Sequence, residues 1–200
     1  MGKVLLIGGS SHSGKSTLAT ELGLRTGSRV IATDSLARHP GRPWREHPNS
    51  IPEHVRAHYA TLTVDELIED VLKHYKKLWP RVAQLILAQL SNADSERLII
   101  EGAALWPDWV STLVQEGITK VWLTTTDEVF QQRIYQSANY FKKSLPEQVL
   151  IDKFLARTLQ FNTLMMQQVF KHNLPSIQVQ EFPSPSSLAD RLLTNEIDKR

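Results

Sequence analysis

The sequence predicts an α/β fold, with one mostly parallel sheet covered by helices on both faces. Three observations carry that expectation. Short β-rich apolar runs alternate with helical stretches along the whole chain. The first run passes through a glycine-rich turn straight into a helix. Two of the runs lead directly to an acidic residue, at the carboxyl edge where such sheets bind ligands.

Taken in order, Lys3 to Ile7 is an apolar run stopped by Gly8-Gly9, the pattern of a buried central strand. Lys15 to Thr26 sets Leu18, Ala19 and Leu22 on one helical face and is closed by Gly27. Arg29 to Thr33 reads as a second strand, and Asp34 to Pro52, crowded with Pro, Gly, Arg and His, as a loop. Thr63-x-x-Glu66 is a capping box. The helix it starts carries Leu67, Ile68, Val71, Leu72, Tyr75, Leu78 and Trp79 on its apolar face. Pro80, which lacks the donor a helix interior needs, is expected to end or restart it. Val82 to Leu90 is a second helical stretch, and Leu98-Ile99-Ile100-Glu101-Gly102 a buried strand ending in an acid, with a short helix after it. Lys120 to Thr124 is the fourth strand, and Asp127 opens a helix through Arg133 towards Tyr140. Ser144-x-x-Glu147 caps a long helix towards Lys171, Ser176 to Val179 is the fifth strand, and a last helix begins near Ser186.

The chain of 200 residues suits one domain, and its 41% hydrophobic and 22% charged residues suffice for a sizeable core. A formal net charge of +2 is too small to imply nucleic-acid or membrane binding by itself. The absence of cysteine excludes a disulfide framework, a thiolate nucleophile and a Cys-based zinc site, and suits a reducing compartment. The first apolar run is too short for a signal-peptide core, and no stretch approaches the ~20 apolar residues of a membrane helix. A soluble, cytoplasmic protein without a membrane partner is the expectation.

Gly9-Ser10-Ser11-His12-Ser13-Gly14-Lys15-Ser16 matches G-x-x-x-x-G-K-[ST] and lies between a strand and a helix, as its mechanism requires. Its glycines let backbone N–H groups turn inward around an anion, and the helix from Lys15 adds the positive end of its dipole. Lys15 is expected on the β- and γ-phosphates of ATP or GTP, and the Ser16 hydroxyl on Mg²⁺, with Ser10, Ser11, His12, Ser13 and Thr17 completing the loop. An acid-x-x-Gly switch and an Asn-Lys-x-Asp base reader are both missing, as is a Leu-Ser-Gly-Gly signature, which turns the reading away from GTPases and transport motors. The small size favours a kinase.

On these residues the chain resembles the small P-loop kinases of the nucleoside-monophosphate and shikimate-kinase type. Ala32-Thr33-Asp34-Ser35 and Ile99-Ile100-Glu101-Gly102 look most like 2-phosphoglycerate kinase and its relatives. The resemblance implies a three-layer P-loop NTPase fold with a five-stranded parallel sheet in the order 2-3-1-4-5. It also implies an acceptor-binding region over residues 34–95 and a lid over residues 133–157. It assigns Asp34 to the acceptor hydroxyl and Arg133 to the phosphates, with Lys142, Lys143 and Arg157 as further lid cations. Glu101 sits where a carboxylate holds Mg²⁺ or the acceptor. Arg38, Arg42 and Arg45, with His39 and His47 in the same loop, could grip an anionic acceptor through bidentate hydrogen bonds. Trp44 within that loop is either a stacking platform for a base or a buried anchor. The function expected is transfer of the γ-phosphoryl group of ATP, with Mg²⁺, to a hydroxyl of a small anionic metabolite. Two alternatives stay open: a nucleoside, nucleotide-sugar or polynucleotide 5′-hydroxyl kinase, and a regulatory or toxin-like nucleotide-binding protein.

Overall fold

The computed structural model describes residues 2–37, 41–44, 51–92, 95–181 and 184–194. Strands β1 (Val4–Gly9), β2 (Arg29–Ala32), β3 (Leu98–Glu101), β4 (Ile118–Thr124) and β5 (Ser176–Gln178) form one sheet in the order β2-β3-β1-β4-β5, and every pairing is parallel. The helices are α1 (Lys15–Thr26), α2 (Glu53–Thr61), α3 (Val64–Ser91), α4 (Pro107–Ser111), α5 (Asp127–Ala138), α6 (Leu145–Lys171) and α7 (Pro185–Leu193). The three-layer α/β architecture and its strand order are those expected.

Strand alternation makes the layers. Val4, Leu6, Leu98, Ile100 and Trp122 point to one face, where α3, α4 and α6 cover them with Val71, Val82, Val110, Met165 and their neighbours. Leu5, Ile7, Ile99, Val121 and Leu123 point to the other, where α1 and α7 supply Leu18, Leu22, Leu188 and Leu192. A third cluster lies beyond the sheet edge. Trp44, Ile51, Val55 and Tyr59 meet Leu67 of α3, Phe130 and Ile134 of α5 and Ile151 and Phe154 of α6 there.

Two local expectations are corrected. Pro80 neither ends nor restarts a helix, because α3 runs unbroken from Val64 to Ser91. Pro80 is exposed, as is Lys76, whose carbonyl loses its helical donor to the proline. Leu78, Val82 and Ile86 continue the buried stripe across it, so burial outweighs the break. Residues 34–52 were expected as a loop; Asp34 sits in a 3₁₀ turn at Thr33–Ser35, and residues 53–61, for which no element was expected, form α2. Ile51, Val55 and Tyr59, four residues apart and all buried, are the sequence signal for that helix. β5 stops at Gln178, and Val179 begins a 3₁₀ turn.

Candidate active site

The site grows from the register of the three central strands. Ile7 of β1 is paired with Glu101 of β3, and Glu101 with Ala32 of β2. The phosphate loop after β1, the carboxylate ending β3 and the turn carrying Asp34 after β2 therefore share one edge of the sheet. Gly9 at φ 142° and Gly14 at φ 99° occupy conformations that side chains rarely adopt, and they fold the loop into a cradle at the start of α1. The Lys15 ammonium lies within the cradle, 2.7 Å from the Ser10 carbonyl and 3.5 Å from Ser13 Oγ. Burial lowers its pKa, and Glu101 and Asp34 act in the opposite direction. Ser10 and Ser13 are buried, and the Ser10 hydroxyl donates to the Thr158 carbonyl of α6 at 3.1 Å.

Ser16 donates its hydroxyl proton to Glu101 Oε1 at 2.9 Å. Glu101 is buried, and desolvation raises its pKa against the attraction of Lys15. These two hard oxygens, in contact at the mouth of the cradle, are donors of the kind Mg²⁺ takes. Among the described residues no cluster of three or more His, Cys, Asp or Glu gathers.

A cavity of about 1240 Å³ takes in the cradle. Its lining includes Thr17, Leu18, Val179, Pro185 and Leu188, and also Asp34, Arg42, His54, Tyr75, Phe154 and Arg157. Asp34 sits exposed on the 3₁₀ turn, which no side chain caps; the Ser35 hydroxyl closes it on the Ala32 carbonyl at 2.7 Å.

Of the predicted cations, Arg42 lines the cavity with its guanidinium 5.9 Å from the Trp44 ring, whereas Arg38 and Arg45, with His39 and His47, lie outside the described residues. Arg133 of α5 donates to the His12 carbonyl at 2.9 Å, beside the loop. Arg157, which the resemblance places among the lid cations, lines this cavity. It packs 5.7 Å from the Phe154 ring and donates to the Tyr59 hydroxyl at 3.3 Å, and its Nε is buried without a hydrogen-bond partner among the described residues. Lys142 and Lys143 lie in and just after a 3₁₀ turn and do not line this cavity; Lys143 pairs with Glu147 at 3.8 Å. Trp44 is the anchor of its two readings: it is buried, and its ring meets Phe154 edge-on at 4.9 Å. Sequence reasoning missed Tyr59 and Tyr75, whose hydroxyls face Arg157 from α2 and α3. Their only signal was a place on apolar helix faces.

No protein-family model matches the chain, and no curated protein is similar to it. Solved structures share the fold at low identity. The protein TT1252 from Thermus thermophilus superposes with a TM-score of 0.53 at 17% identity, over 98% of this chain and 96% of that one. A shikimate kinase from Bacteroides thetaiotaomicron gives 0.52 at 15% identity, over 96% of each chain. A shikimate kinase from Acinetobacter baumannii, solved with shikimate, gives 0.50 at 13% identity over 98% of this chain and 93% of the other.

Proposed function

We propose that this chain is an ATP-dependent kinase that transfers the γ-phosphoryl group to a hydroxyl of a small anionic metabolite. One observation carries the reading: a single cavity joins the phosphate cradle to a chamber holding an exposed carboxylate, Asp34, and a half-buried cation, Arg157, whose Nε is unpaired among the described residues. A protein that only held nucleotide would have no use for that chamber. The shikimate kinases that share the fold are named for phosphorylation of a small hydroxy acid, which is consistent with it.

In this reading Lys15 neutralises charge on the β- and γ-phosphates as the transferring group loosens. Arg133 contributes from α5. Asp34 orients the acceptor hydroxyl and accepts its proton. Arg157, braced by the Tyr59 hydroxyl, holds the acceptor's anionic group with the Tyr75 hydroxyl, and Arg42 adds charge to the same cavity. Ser16 and Glu101 would hold Mg²⁺, which supplies further neutralisation of phosphate charge. The likeness of the Asp34 and Glu101 segments to 2-phosphoglycerate kinase-like proteins makes phosphorylated hydroxy acids the first acceptors to try. Polynucleotide acceptors lose an argument, because Trp44 is buried against Phe154 rather than presented as a platform.

The test is a mass-spectrometric search for products that gain a phosphoryl group when protein, MgATP and pooled small metabolites are incubated together, with Asp34→Asn in parallel. The expected result is one phosphorylated metabolite, absent with Asp34→Asn, while MgATP affinity in the variant stays within about twofold. MgATP binding without any phosphorylated metabolite refutes the small-molecule reading.

A further inference from the structure

His12, a non-glycine residue in the middle of the phosphate loop, has φ 64°. That left-handed conformation costs an ordinary side chain free energy, so other contacts must hold it. Nδ1 lies 3.0 Å from Ser11 Oγ and Nε2 lies 3.0 Å from Ser137 Oγ of α5. The ring is 5.9 Å from that of Trp44 and meets Phe154 edge-on at 6.0 Å. The proton count assigns the tautomer. Ser137 donates its hydroxyl proton to the Ile134 carbonyl at 3.1 Å, so the proton shared with His12 belongs to Nε2, and Nδ1 accepts from Ser11.

A second proton has no place here. Burial first, then the charges of Arg42, Lys15 and Arg133, push the His12 pKa down to about 3. The left-handed turn also aims the His12 carbonyl at α5, where it accepts from Arg133 NH1 at 2.9 Å. Arg133 and Ser137 are one helical turn apart on the same face of α5. Backbone and imidazole of one residue thus grip a single stripe of that helix.

We propose that His12 is a positioning residue for nucleotide binding, tying the phosphate loop to α5 and so fixing Arg133 beside the phosphate cradle. The inference rests on the P-loop reading above. Its reach is to make Arg133 a preorganised contact of the loop, set before nucleotide arrives.

The test is calorimetric titration of the full chain with MgATP, comparing wild type with Lys15→Ala, His12→Ala, Ser137→Ala, Arg133→Ala and the Ser137→Ala/Arg133→Ala pair. Loss of one hydrogen bond in the tie should weaken binding about 3–10-fold in Ser137→Ala, and His12→Ala should lose at least as much. Because the effect passes through Arg133, adding Ser137→Ala to Arg133→Ala should change the Kd less than twofold. Nitrogen-detected spectra should show the Nε2–H tautomer of His12 with no titration above pH 5. Ser137→Ala that lowers the thermal midpoint but leaves the Kd within twofold makes the tie merely structural and overturns the proposal, as does an undiminished effect in the Arg133→Ala background. Wild type that does not bind MgATP, or Lys15→Ala that binds as wild type does, refutes the P-loop reading itself.

Discussion

Gly8→Ala tests how tightly the sheet is packed beneath the phosphate loop. A Cβ at Gly8 would lie 2.2 Å from Trp122 Nε1 and 2.5 Å from its Cδ1, against the ~3.5–4.0 Å of a normal contact. The indole must therefore shift by more than an ångström. It has no space to do so, for Trp122 is fully buried and its Nε1 donates to the Leu105 carbonyl at 3.1 Å. Overpacking costs about 1–3 kcal/mol and the lost buried hydrogen bond about 1 more, a destabilisation of roughly 2–4 kcal/mol. For a chain of this size that is about 4–16 °C in thermal midpoint. Urea unfolding followed by circular dichroism measures it. Repeating Gly8→Ala in a Trp122→Leu background removes the obstructing ring, so the increment should fall below ~1 kcal/mol. A shift of less than about 0.5 kcal/mol for Gly8→Ala alone in the otherwise wild-type chain, or an equal loss in both backgrounds, refutes the packing account.

The remaining predictions concern separate parts of the site and scaffold. Arg157→Met keeps the apolar stem over Phe154 and removes the charge, so KM for an anionic acceptor should rise at least about tenfold with KM for ATP within twofold; equal effects on both substrates would remove Arg157 from the acceptor chamber. Mg²⁺-dependent nucleotide binding should weaken as pH falls, because it needs ionised Glu101. Burial raises the Glu101 pKa, so the loss should begin above the ordinary carboxylate range, and an acid limb at or below that range would contradict the assignment. Thr63→Ala removes the side-chain half of the α3 capping box, leaving Glu66 on the backbone N–H of residue 63, and should cost about 1 kcal/mol in thermal unfolding while leaving MgATP affinity unchanged.

What could be read from the sequence was what neighbouring residues settle among themselves. The phosphate loop is a contiguous octapeptide whose glycines, Lys15 and Ser16 act through local backbone geometry. The five strands were legible as short runs, and the acids Asp34 and Glu101 because one lies just past the end of its strand and the other ends its own. Pro80 was misjudged because its cost is local while the burial that outweighs it, through Leu78, Val82 and Ile86, is tertiary. Only packing could bring Arg157 to the cavity beside Asp34, seat Trp44 in a core and turn Tyr59 and Tyr75 towards one guanidinium, since these residues come from four separate segments. The same holds for His12. Its sequence position marks it as a variable loop residue, and its contacts with Ser137 and Phe154, more than a hundred residues away, exist only once α5 and α6 close against the loop.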